Sequence, residues 1–150
     1  MHYSGYPGYQ KLRAAKRWHQ KIKEQKHFLT PGAKRALRQS SLDVVFSYDF
    51  LSRVGLGRRN AELSRLGDKA KRDLKALGAE WVGDIEKLNP ATVASLLNTG
   101  PGTLAFMLDF LTAFGLQMSD DAPHMVEDTL TIGAMGRKLA DRLKLPPATD

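Results

Sequence analysis

The chain contains no cysteine, which excludes both a disulfide framework and a thiolate metal site and leaves a buried core to hold the fold. Its 150 residues are enough to bury one without staples. Only four histidines occur (His2, His19, His27 and His124), and they are scattered, with His19 and His27 eight apart, so a metal site is not expected. There is no Gly-x-Ser-x-Gly, no P-loop and no dinucleotide fingerprint. The paired carboxylates Asp120-Asp121 and Glu127-Asp128 fall in an acidic stretch and at a helix start, where negative charge ordinarily complements the helix dipole. These absences predict a protein that is no enzyme and uses no cofactor, metal or small-molecule substrate.

Long apolar runs are missing too. The longest, residues 104–116, is interrupted by Asp109 and Thr112 and is too short to span a membrane. Residues 1–10 lack the apolar segment of a secretory signal. The expectation is a soluble cytoplasmic, nucleoid-associated protein that does not act at a membrane. Strand-like alternation is also absent, as is any repeat at solenoid spacing. The fold class is therefore all-α, a bundle of short helices.

Acidic residues are scarce where basic ones are dense. Residues 1–40 carry ten Lys/Arg against Glu24 alone, a net +9. Residues 41–75 have eight against five acids (+3), and residues 76–150 have five against ten (−5), giving the overall +7. A basic arm, a mildly basic module and an acidic remainder favour a polyanionic partner. The domain divisions expected are 1–40, 41–116 and 117–150.

Residues 1–10 are rich in Gly, Tyr and Pro and read as a loose end. Residues 11–28 form a cationic amphipathic helix with Leu12, Ala15, Trp18 and Ile22 on one stripe and Lys16 and Arg17 among its charges. Trp18 would dock on the core or on a partner protein. Thr30-Pro31 opens a short helix carrying Lys34, Arg35 and Arg38. Further helices follow over residues 42–53, 58–66, 69–77 and 90–97, with a short helical turn at 81–88. Then comes residues 103–114, where Leu104, Met107, Leu108 and Leu111 make one apolar face and Phe106, Phe110 and Phe114 a second. Only Ala105, Asp109 and Thr112 remain for water. Such a helix is covered on two sides: by its own module, and by either a C-terminal helix near residues 126–145 or a partner protein meeting the phenylalanines.

Two Gly-x-Gly turns separate these helices. Gly55-Leu56-Gly57 is followed by Arg58 and Arg59, the cations one would place beside a phosphate. Gly100-Pro101-Gly102 is followed by Thr103 and the Phe-rich helix. Glycines let the backbone turn sharply, and the next helix then presents its unpaired N–H groups to an anion. That is the layout of a helix-hairpin-helix, which holds a nucleic-acid backbone without reading bases.

From about residue 63 to 116 the chain resembles the C-terminal domain of the bacterial RNA polymerase α subunit. The shared signals are Leu74-Lys75, Leu77-Gly78, Val82-Gly83-Asp84-Ile85, Leu96-Leu97, Gly100 and Gly115-Leu116. The resemblance implies DNA-backbone and minor-groove contact plus docking to transcription proteins. It places the family's DNA-contacting arginine on Lys69, a neighbouring asparagine on Arg72, and the lysine and serine after the hairpin glycine near Gly102 and Thr103. The departures are the lysine, a point charge rather than a planar fork, about three extra residues between Gly83 and Leu96, and the phenylalanines of the last helix. The chain is thus expected to be a separate protein using a similar module.

The resulting expectation is a bacterial or phage DNA-binding protein acting in transcription control. It would contact duplex phosphates through Gly55, Leu56, Gly57, Arg58, Arg59, Lys69, Arg72, Gly100, Gly102 and Thr103, with the arm (Lys16, Arg17, Lys34, Arg35, Arg38) adding attraction. Two alternatives stay open. One is a protein-interaction module docking on RNA polymerase through Phe106, Phe110, Phe114 and Trp18; the other is RNA or ribosome association through the arm.

Overall fold

The computed structural model of the chain describes residues 8–19, 30–54, 56–96 and 98–122. They are helical, in the order α1 (Tyr9–His19), α2 (Pro31–Arg38), α3 (Leu42–Val45), α4 (Tyr48–Val54), α5 (Asn60–Ala76), α6 (Val82–Ile85), α7 (Pro90–Ala94) and α8 (Pro101–Ala113). No strand occurs among them, only an isolated antiparallel bridge between Ser41 and Trp81. The all-α class stands. None of the described helices is long and apolar enough to cross a membrane. The predicted helix at 126–145 and the second half of the 11–28 helix lie outside the described residues.

Caps set most of the boundaries. Thr30 Oγ1 accepts from Ala33 N ahead of Pro31, Ser41 Oγ from Asp43 N, and Asn89 Oδ1 from Ala91 N ahead of Pro90, each satisfying an amide that the helix cannot. Before α6, Asp84 Oδ2 accepts from both Glu80 N and Trp81 N. Gly78 and Gly115 adopt positive φ just past α5 and α8, the usual place for a left-handed C-terminal residue.

α8 is the axis of the core. Thr103, Leu104, Ala105, Phe106, Met107, Asp109, Phe110 and Leu111 are all buried on it, because α1, α5 and α7 each pack against it. The chain's basic beginning is therefore part of this core. Leu12 and Ala15 of α1 are buried, and Lys11 Nζ donates to Leu96 O at 2.6 Å, capping a carbonyl beyond the end of α7. The start of the acidic stretch is held as well: Asn89 Nδ2 donates to Asp120 O and Ala122 O, and Met118 is buried.

α5 crosses α4 at a glycine. A Cβ on Gly67 would lie 2.6 Å from Leu51 Cδ1 and 2.6 Å from Phe46 O, and the carbonyl cannot retreat without moving the α3–α4 connection. Alanine at this helical position would gain about 1 kcal/mol of intrinsic helix propensity, but the overlap should outweigh it. Gly67→Ala is expected to lower unfolding free energy by about 1–3 kcal/mol net, measured by urea denaturation; an unchanged midpoint would contradict this packing.

Candidate nucleic-acid interface

The N-terminus of α8 opens onto a cavity of about 290 Å³. Gly100 is the N-cap and makes no side-chain cap bond, and Pro101 at the first helical position has no N–H. The amides of Gly102 and Thr103, within the first turn, precede the first intrahelical donor, Leu104 N, which donates to Gly100 O. Both residues line the cavity together with Gly100. Across from them α5 contributes Glu62, Arg65, Leu66 and Lys69, and Trp18 and Arg58 complete the wall. The turn before α8 is fixed to α5 by a buried bond from Thr99 Oγ1 to Asp73 Oδ2 at 2.7 Å. Asp73 is one turn beyond Lys69, so this anchor also sets the distance between the lysine and the open helix end.

The two faces of α5 differ in charge state. Lys75 and Lys71 pair with Asp43 at 2.7 and 3.8 Å, and the bond from Lys75 is the main reason the Asp43 carboxyl titrates below its usual range. Arg65, Lys69 and Arg72 follow one another at spacings of four and three along another stripe of the helix. None of these three forms an ion pair among the described residues. The cavity thus sits at one end of an uncompensated cationic edge.

Arg58 plays a different part from the one expected of it. Its side chain is only 13% exposed, and Nη2 donates to Asp109 Oδ2 at 2.8 Å. Nη1 lies 3.7 Å from Glu62, and the guanidinium carbon is 5.8 Å from the centre of the Phe106 ring. Asp109 is buried and its other oxygen meets His19 Nδ1 at 2.8 Å, while His19 Nε2 is 3.1 Å from Thr112 Oγ1. Arg58 is thus a partly buried strut joining the start of α5 to α8, and His19 ties the end of α1 to the same carboxylate. The expectation that Asp109 faces water, and that Arg58 is free for a phosphate, is corrected by this network. Arg58 Nε is buried with no hydrogen-bond partner.

The phenylalanine face is interior as well. Phe106 and Phe110 are fully buried and Phe114 nearly so. Phe46 and Phe50 cover them, with Phe46–Phe110 ring centres 4.9 Å apart and Phe50–Phe114 6.2 Å. The second cover of α8 thus comes from the N-terminal half of the chain, and Phe106, Phe110 and Phe114 present no docking surface. Trp18, the other expected docking residue, is 41% exposed beside Gly102.

The two Gly-x-Gly turns are not alike. Leu56 and Gly57 are consecutively left-handed, at φ 54° and 72°; Leu56 bears this because its side chain is buried. Gly55 lies outside the described residues. Gly100, by contrast, has φ −85° and ψ 169°, open to any residue, and Gly102 is already helical. Their glycine character keeps side chains away from the open end of α8 rather than bending the chain.

Of the remaining predicted residues, Arg59, Arg72, Lys16, Arg17 and Arg35 are exposed outside this cavity. Lys34 lies against Gly115 O, and Arg38 pairs with Glu86 at 2.7 Å, a contact that raises the guanidinium pKa further. Glu62, Arg65 and Leu66 are cavity residues that sequence reading passed over; of these Arg65 is the cation, and its place one turn before Lys69 marks it. No group of three potential metal-ligating side chains comes together among the described residues. Comparison with known family models, curated proteins and solved structures gives no match to this chain.

Proposed function

We propose that this chain is a non-enzymatic DNA-binding protein that holds backbone phosphates at the N-terminus of α8 and along the Arg65–Lys69–Arg72 edge of α5. The observation that carries this reading is the cavity itself. Of the positions to which the polymerase α resemblance assigns DNA contact, Lys69, Gly102 and Thr103 line it from facing sides although they come from segments some thirty residues apart, while Arg72 lies outside it. Open helix amides and unpaired cations on one concave surface suit a phosphate oxygen. In this reading α4–α5 and α7–α8 act as two helix-hairpin-helix units of unequal kind. The first turn has left-handed backbone and leads into a structural arginine; the second leaves a helix end open. Transcription control in the nucleoid is the role that the resemblance suggests, with polymerase or another transcription protein as a second partner. The phenylalanines offer no route to such a partner.

Binding to a labelled DNA duplex, measured by anisotropy across a salt series with single-stranded RNA in parallel, tests the proposal. The expected result is a linear fall of log affinity with log salt whose slope corresponds to roughly 4–8 neutralised phosphates. No duplex binding at low salt would overturn it, and binding confined to RNA would move the function to the RNA class.

A further inference from the structure

Trp18 is placed unusually for a large aromatic. It is the last-but-one residue of α1, 41% exposed, and its ring edge is 3.8 Å from where a Cβ on Gly102 would stand. It therefore borders the open end of α8 and shares one cavity with Arg65 and Lys69. At about 290 Å³ that cavity lies at the small end of ligand-sized sites, roughly 300 Å³. This is space for one nucleotide rather than for a stretch of double helix.

In a duplex the base faces are stacked and only phosphates and groove edges are offered to a protein. An exposed indole within a nucleotide's reach of a phosphate site gains nothing from such a backbone. An unpaired base can lie on it, and stacking of this kind is tolerant of base identity. The carboxylates nearby, Glu62 and Asp109, are engaged by Arg58, so the uncompensated charge at the cavity is that of Arg65 and Lys69.

We infer that this cavity takes a nucleotide whose base is unpaired, its phosphate at the Gly102 and Thr103 amides and its base on Trp18. The chain therefore prefers DNA carrying a single-stranded tail or gap over blunt duplex. The inference rests on the DNA-binding reading and narrows the form of DNA that fills the site.

The test compares a blunt duplex with the same duplex bearing a three-nucleotide tail, using the full chain with Trp81→Phe so that fluorescence reports Trp18 alone. The tailed DNA is expected to bind on the order of tenfold to a hundredfold tighter and to quench the indole. Trp18→Ala in that background should abolish the preference, so that the ratio of tailed to blunt affinity falls to about one, since the lost term is stacking. Equal affinity for both DNAs with unquenched Trp18 would overturn the inference and leave the DNA-binding reading standing. Failure to bind either DNA would overturn both. Trp18→Phe, which keeps a stacking face, should retain most of the preference; if it behaves as Trp18→Ala does, stacking is not the cause.

Discussion

Asp109→Ala is expected to lower the stability of this protein by about 3–5 kcal/mol. Alanine at this position would take from the largely buried Arg58 guanidinium its close acceptor, leaving only Glu62 at 3.7 Å, and would remove the acceptor of His19 at the same time. A buried cation without its partner keeps its desolvation cost and loses the attraction that offset it. Arg58→Met alone is expected to be damaging for the mirror reason, while the pair Arg58→Met with Asp109→Leu should recover most of the loss, because an apolar pair needs no compensation. Urea unfolding of the three variants checks this. A loss below about 1 kcal/mol for Asp109→Ala would place the strut in the class of surface pairs. The same geometry shows why charge reversal at Arg58 is a poor probe of DNA binding: it would place a carboxylate against Asp109 and report on folding.

Most helix starts were legible in the sequence because their signals are local. The break expected between residues 66 and 69 does not exist: α5 runs unbroken through Gly67, which is there for the close approach of α4. The helix expected over 42–53 is divided into α3 and α4. Thr30-Pro31, Ser41 and Asn89-Pro90 announce caps, and spacings of three and four mark the buried faces. The association of α1 with α8 was not legible. Only Leu12 and Ala15 of α1 are buried, and a face that small next to so many lysines and arginines reads as a solvated arm. What joins the two helices is partly polar, the His19–Asp109 contact across 90 positions, and no local pattern carries information about such a pair. One clue was available: a single carboxylate inside a helix apolar on both faces needs a buried cation. The phenylalanines failed for a related reason. Their spacing of four correctly predicts a second covered face, but periodicity cannot say which segment covers it, and Phe46 and Phe50 lie some sixty positions upstream. Gly100 and Gly102 read as site residues because glycines allow a sharp turn, yet Gly100 is extended and Gly102 helical; what holds them at the cavity is the buried Asp73–Thr99 bond.

Reversing the cationic edge of α5 should separate the DNA-binding surface from the general positive charge of the chain. Lys69→Glu with Arg72→Glu removes two cations that form no ion pair among the described residues, so the variant is expected to unfold at the same urea concentration as wild type. Its affinity for duplex DNA should fall by about tenfold per reversed charge at low salt, and the slope of log affinity against log salt should decrease by about 2. Arg38→Gln is the control for net charge, changing it by one unit where the double reversal changes it by four. It also removes a positive charge, but that arginine is bound to Glu86 on the α2–α6 side, so its loss should change affinity less than twofold, within the range of a paired surface charge. If attraction were a matter of net charge alone, each variant would weaken binding in proportion to the charge it removes, and the +7 of the chain would matter more than the position of any residue. A large loss at α5 beside an unchanged Arg38→Gln assigns binding to the edge that leads into the open end of α8. Proportional losses would instead assign it to the diffuse field of the basic N-terminal part and would remove the cavity from the account of duplex recognition.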